Sequence, residues 1–450
     1  MIIPSVLLQS LENVKGFNRT SFENVHELGE QVTSIRLNPA KSATIGFPGI
    51  MNSVPWCPHG FYLSKRPSFT LDPLIHAGAY YVQDASSMFL WHALKESIEN
   101  DLPKIVLDLC AAPGGKSTLL ASYFTNGLVV ANEVIKARAA VLIENITKWG
   151  SDNVIVTNND PSHFQSLPGY FDAMVIDAPC SGSGLFRKDA AAIHEWSESN
   201  VQLCSQRQQR ILADVLPALK EGGLLIYSTC SYSPDEDEAI ADWLITEMQM
   251  QSIQVPFPDV WGIVETESNL HKAFGYRFFP DQIKGEGFYL AVFQKKGNAV
   301  FRRLKEQKLI IPSKKEEEQI NSLILIPESF SLFKQTESIR ALKKEWFAEL
   351  QKLANCLYIR KAGIEIGNIK GRDVIPSHEL SVSFLSKTLF YYLELSLEEA
   401  LQYLRRNELK LENAPLGWNM VSFGGLPLGW VKVLPNRVNN YYPAAWRILK

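Results

Sequence analysis

The chain is poor in cysteine: its 450 residues carry six (Cys57, Cys110, Cys180, Cys204, Cys230, Cys356), scattered and without a CxxC pair. That excludes a disulfide framework, and free thiols fit a reducing compartment. No histidine and cysteine cluster has ligand spacing, so no metal is implied. Long hydrophobic runs are missing too. The longer ones, such as Ala139–Ile143, fall far short of the roughly 20 residues that span a membrane. The opening MIIPSVLL (1–8) lacks the basic start and small-residue cleavage site of a signal peptide, so a cytoplasmic protein without membrane contact is expected. Repeats and low-complexity tracts are absent. What remains, 46% hydrophobic and 21% charged residues, is ordinary for a globular protein with two or three domains.

An overall basic excess is lacking as well, since the net charge is −3. That value averages two unlike parts. Residues 1–300 hold 22 basic against 32 acidic side chains, whereas residues 301–450 hold 23 against 16. The C-terminal part is where an anion-binding face is expected.

From about 104 to 296, apolar runs alternate with helical patterns. Strands are expected over Ile105–Leu109, Leu128–Asn132, Asn153–Thr157, Phe171–Asp177, Gly223–Ser228 and Gly287–Gln294. Helices are expected over Lys116–Phe124, Lys136–Lys148, Ser199–Leu219 and Asp235–Met248. This alternation predicts a doubly wound, largely parallel α/β sheet, with ligands beyond the carboxyl ends of its strands. Residues 1–95 read as a mixed α/β subdomain and 96–296 as the catalytic domain. Residues 297–450 read as a linker and a further α+β region, in which Ser396 caps a helix to Arg406 with Glu399 three residues on.

Three signals carry chemistry. After the first strand, VLDLCAAPGGKST (106–118) supplies a loop of small residues opening a helix, where backbone amides can approach a ligand closely. It is not a nucleotide P-loop, because Cys110 stands where GxxxxGK[ST] needs glycine. Next, Glu133, Asp160 and Asp177 follow successive strands; a carboxylate 25 residues after Asp108 suits ribose hydroxyls, although each could equally cap a helix or end a strand. Finally, DAPCSGSG (177–184) and STCS (228–231) put Cys180 and Cys230 after adjacent strands, at one rim of the sheet. A cysteine nucleophile suits methylation of cytosine at carbon 5. Thiolate addition at carbon 6 makes carbon 5 enamine-like, and proton loss then lets the thiol leave. A thiol with an ordinary pKa of about 8.5 needs help to ionise at neutral pH.

The segments CAAPGGK (110–116), DAPCSG (177–182) and STCS (228–231) resemble the Sun/Nop family of RNA cytosine-5 methyltransferases, as do YYVQDASSM (80–88), NEVIKAR (132–138) and GLFRKD (184–189). The resemblance implies a class I (Rossmann-like) fold using S-adenosyl-L-methionine. By that likeness Cys230 is the nucleophile and Cys180 assists product release, with Asp177 and Lys116 close to the base. Cys110, Ala111, Ala112, Pro113, Gly114, Gly115, Lys116, Glu133, Arg138, Asp160 and Asp177 would line the cofactor site. The end of the chain, GLPLGWVK (425–432) to RVNNYYPAAWR (437–447), is similar to the PUA-like domain of the bacterial RsmF-like branch, which modifies 16S rRNA. Arg36, Arg187, Lys432, Arg437 and Arg447 are the expected RNA contacts, the partner being 16S rRNA, free or within the 30S subunit, and the protein a monomer. One departure is NDPS (159–162), where relatives have a small residue after the aspartate. The alternatives are a tRNA cytosine-5 methyltransferase, a DNA cytosine-5 methyltransferase using Cys180, and a non-catalytic assembly factor. The cysteine of Thr229-Cys230 has no task in the DNA mechanism, and intact cysteines and cofactor loop argue against the assembly factor.

Overall fold

The computed structural model describes residues 3–41, 49–98, 104–297, 303–321, 324, 326–386 and 390–449. Among these, the central sheet has ten strands: β1 (Ile105–Asp108), β2 (Leu128–Asn132), β3 (Val154–Thr157), β4 (Phe171–Asp177), β5 (Leu219–Thr229), β6 (Met250–Ile253), β7 (Val264–Glu267), β8 (Phe274–Phe278), β9 (Phe288–Lys295) and β10 (Ile359–Ala362). Their order is β7-β8-β9-β5-β4-β1-β2-β3-β10, with β6 paired to the far end of β9. Strands β1 to β5 are parallel. The expectation of a largely parallel sheet holds only for these. The other five join antiparallel, because β6 to β9 connect without crossover helices on the way and β10 enters from the C-terminal part.

Both faces of the parallel strands are covered, which is why they read as nearly unbroken apolar runs. Helices α1 (Gly115–Tyr123) and α2 (Lys136–Trp149) pack on one face through Leu119, Leu120, Leu142 and Ile146. Helices α3 (Glu198–Val215) and α4 (Glu238–Met248) pack on the other through Ile211, Leu212, Ile240 and Leu244. Leu350 and Leu353 of the C-terminal part share that second core.

The N-terminal part holds helices Ser5–Leu11 and Arg19–Leu28 and a four-stranded antiparallel sheet ordered Ile50–Ser53, Gly60–Leu63, Ser34–Leu37, Tyr80–Val82. The C-terminal part holds two four-stranded sheets. In the last of them, Gly417–Phe423 and Leu426–Leu434 form a hairpin whose Gly424 and Gly425 both have positive φ (57° and 74°), as a tight two-residue turn requires. The expected cap is present: Ser396 and Glu399 form a reciprocal capping box on helix Leu397–Arg405. No helix among the described residues is long and apolar enough to cross a membrane.

Candidate active site

The carboxyl ends of β1 to β5 converge on a cavity of about 440 Å³. Pockets that hold cofactors span roughly 300–1,000 Å³, so the size suits a nucleoside-type ligand. Cys110, Ala112, Glu133, Arg138, Asp160, Asp177, Cys180 and Cys230 all line it. The loop after β1 is held by Asn132: its backbone carbonyl accepts from Ala111 N (2.8 Å), and its amide donates to Leu109 O (3.2 Å) and Asn159 O (3.0 Å). Gly114 opens α1 at φ 119°, a conformation that side chains resist. Ala111, Pro113, Gly114 and Gly115 shape this turn but are not in the cavity wall.

Glu133 is buried, accepts from Ile135 N (2.9 Å), and lies 3.5 Å from the Arg138 guanidinium, which also donates to Ala112 O (2.8 Å). One arginine therefore holds both the acidic wall and the small-residue loop. The exposed side chains of Val134 and Ile135 supply apolar surface beside it. A carboxylate for hydroxyls next to apolar surface for a flat ring fits the adenosine of S-adenosylmethionine. Asp160 caps the 3-10 turn Pro161–Ser166, and the Ser162 hydroxyl and amide donors lower its pKa. Its capping role and its place in the cavity wall coexist. Deeper in, Asp108 is buried, accepts from the Ser117 hydroxyl at 2.6 Å, and has its pKa pushed up to about 7 by desolvation.

Lys116 is outside the wall, yet its ammonium pairs with Asp177 at 2.8 Å while Ser228 Oγ donates to the other Asp177 oxygen, also at 2.8 Å. The two cysteines meet as their positions after β4 and β5 require. Cys180 Sγ and Cys230 Sγ are 2.9 Å apart, and both are free thiols. The hydrogen bond with the Cys230 sulfur and burial push the Cys180 thiol well above its ordinary pKa, and either sulfur can donate to the other. Gly184 lets the β4 loop cross the Cys230 carbonyl: its N–H donates there at 2.9 Å, and a Cβ would sit 2.5 Å from Gly287 O.

The structure corrects two expected RNA contacts. Arg36 is wholly buried, donating to Gln83 Oε1 (2.7 Å), Thr118 Oγ1 (2.6 Å) and Gly115 O (3.1 Å), with its guanidinium 4.6 Å from the Trp149 ring centre. It locks the N-terminal sheet onto α1 and has no face left for a phosphate. Arg36→Ala is expected to cost about 2–4 kcal/mol of stability, read by thermal or denaturant unfolding, through lost charged hydrogen bonds and a cavity. Unchanged stability would show that the junction does not depend on it. Arg187 is buried too: it donates to Glu30 O and lies 3.8 Å from Glu286, whose carboxyl burial raises to about 7. Arg437 and Arg447 are exposed, and Lys432 is half-buried with its ammonium 5.3 Å from the Trp418 ring centre. Trp430 is core, donating its indole N–H to Ser377 O.

Sequence reasoning missed Arg207 and Arg210, which line the cavity from α3. Their i, i+3 spacing on a helix of clear periodicity was the available signal. It also missed Glu236 and Gln208, which hold the cysteine loops.

The chain's similarities agree with this geometry. Residues 95–294 match the family model of the 16S rRNA methyltransferase RsmB/F, 390–448 the RsmF PUA domain, and 3–85 the N-terminal domain of 16S rRNA methyltransferase RsmF. The ribosomal RNA small subunit methyltransferase F of Aliivibrio salmonicida is 30% identical over 433 residues, covering 91% of this chain and 90% of that one. Its namesake in Psychromonas ingrahamii is 30% identical over 414 residues, covering 88% and 85%. Among solved structures, a methyltransferase homologue from Pyrococcus horikoshii superposes with a TM-score of 0.52 at 26% identity, covering 65% of this chain and all of that one. The NSun6 protein of the same organism, solved with an S-adenosylmethionine analogue, gives 0.53 at 19% identity, covering 66% and 99%, a likeness of fold. With three family models in order along it, and relatives matched over nearly their whole length, the chain belongs to the family of small-subunit ribosomal RNA methyltransferases F.

Proposed function

We propose that this protein methylates carbon 5 of a cytosine in 16S rRNA, with S-adenosylmethionine as donor, Cys230 as nucleophile and Cys180 as the group that assists release. The observation that carries the reading is the pair of sulfurs, 2.9 Å apart, in the wall of the same cavity as Cys110, Glu133 and Asp177. Glu133, Arg138 and the loop from Cys110 would hold S-adenosylmethionine, which would supply an electrophilic methyl group.

The chain's own residues do the rest. The Cys230 thiolate adds its electron pair to C6 of cytosine, forming the S–C6 bond and raising electron density at C5. C5 bonds the methyl group as the donor's sulfonium S–CH3 bond breaks, its electron pair remaining on the sulfur of a neutral thioether that leaves. The C5 proton then passes to solvent, the C5=C6 double bond re-forms from the C5–H electron pair, and the S–C6 bond breaks to return the thiolate. A Cys180 thiol donating to the departing sulfur stabilises it as the negative charge returns. The Lys116–Asp177 pair, beside the cysteines, is suited to orient the ring's polar edge. The base must reach sulfurs in the wall of a cavity of about 440 Å³, so the target cytosine is unstacked.

Exposed cations mark the approach for RNA. Arg437 and Arg447 lie on the C-terminal part. A second cleft carries Lys65, Arg66 and Lys284, and its wall residue Gln31 donates to Arg187 O at 2.8 Å, tying it to the loop that follows Cys180. We read the enzyme as a cytoplasmic monomer acting on rRNA free or within the 30S subunit. Bisulfite sequencing of 16S rRNA from cells with and without the gene tests this. A protected cytosine that becomes convertible in the deletion strain is expected, and an unchanged 16S profile beside a changed tRNA profile would move the substrate to tRNA.

A further inference from the structure

We propose that Glu236 is a positioning residue, whose carboxylate clamps the two cysteine loops and fixes the separation of the Cys180 and Cys230 sulfurs. The inference rests on the two-cysteine reading above and adds to it the part that makes the pair a pair. Glu236 is buried with no exposed surface, in the turn before α4. Its Oε1 accepts from Ser181 N at 2.8 Å and from the Gln208 amide at 3.2 Å. Its Oε2 accepts from Ser181 Oγ at 2.5 Å and from Ser231 Oγ at 2.6 Å. Each serine is the residue directly after a cysteine. One carboxylate thus ties down the backbone on the far side of both sulfurs.

The need for such a clamp follows from the chemistry. A thiol is a weak donor and a weak acceptor, so the contact between the two sulfurs does not hold itself. Ser181 Oγ and Ser231 Oγ are themselves 3.4 Å apart, at the limit of a hydrogen bond. Two firmer ties run further along the loops: Tyr232 N donates to Ser183 Oγ at 2.8 Å, and Gly184 N to Cys230 O at 2.9 Å. Neither touches Ser181. Gln208 steadies the assembly from α3, donating also to Pro179 O at 3.1 Å. The carboxylate receives only donors, four of them. An amide in its place removes the charge and exchanges four charge-assisted hydrogen bonds for weaker neutral ones, which loosens the loops at nearly constant volume.

Glu236→Gln in the full-length protein is the test, with three readings: kcat on 16S rRNA, cofactor affinity by calorimetry, and RNA–protein adduct on a denaturing gel. Displacing a reacting group by an ångström costs about 10²-fold in rate, and a fall of that order in kcat is expected, with cofactor affinity retained. Adduct should persist, because a displaced Cys180 serves release poorly. Ser231→Ala combined with Glu236→Gln should add little to the single defect, since both act through one contact. Native kcat, or kcat and cofactor affinity lost together, overturns the proposal. If Cys180→Ala on the same gel forms no adduct, the two-cysteine roles fall instead, and kcat against cofactor affinity alone then decides whether Glu236 positions the site.

Discussion

Cys230→Ala abolishes methyl transfer while cofactor affinity stays at the native level. The Cys230 sulfur is the group proposed to add to C6, and without that bond C5 of cytosine is too electron-poor to take a methyl group. Loss of a nucleophile of this kind costs on the order of 10⁴-fold or more in kcat. Folding should be little affected, because Cys230 is only half-buried and its sulfur faces the cavity rather than a core. Transfer of labelled methyl groups to 16S rRNA measures the first effect and calorimetry with S-adenosylmethionine the second. An active Cys230→Ala enzyme would remove the nucleophile from this position.

Cys180→Ala, by contrast, traps RNA on the protein. The adduct forms through Cys230, which is intact, but the departing thiolate loses its donor at 2.9 Å. Addition then outruns elimination, and a band that survives denaturing electrophoresis accumulates when cofactor and RNA are both present. Because burial and the neighbouring sulfur raise the Cys180 pKa, the thiol keeps its proton from neutral into mildly alkaline pH. Release by the native enzyme should therefore hold level across that range instead of falling as an ordinary thiol would ionise. No adduct from Cys180→Ala together with an active Cys230→Ala enzyme would reverse the two roles.

The parallel core and the site were legible because their signals are local. An apolar run ending in an aspartate or cysteine marks a strand end, and neighbouring strand ends share one rim. The expected strand Phe171–Asp177 agrees with the structure residue for residue. The expected strand at 223 begins instead at Leu219, because its register with β4 skips across the polar Lys220–Gly223 stretch. The helix expected from Asp235 begins at Glu238, since the intervening turn is held by its contacts with the cysteine loops. Arg36 misled for a different reason. A short strand shows two faces, and nothing within SIRL (34–37) tells which one meets a helix more than 75 residues away in the chain. β10 was illegible too, since an edge strand of four residues has a pattern too short to assign. The linker expected from residue 297 falls partly outside the described residues.

That edge strand bears on how the enzyme is made. β10 pairs with β3, and Tyr358 just before it bonds to both Asn158 and Asn159, the residues that lead into Asp160. The acidic wall of the cofactor cavity is thus braced by residues some 200 positions later in the chain. During translation the methyltransferase sheet must wait with one border open until residue 362 has left the exit tunnel. A fragment cut after β9 would keep every residue of the chemistry and still present an unpaired, aggregation-prone edge. The chain therefore completes the brace of its own cavity wall only after most of its synthesis is over.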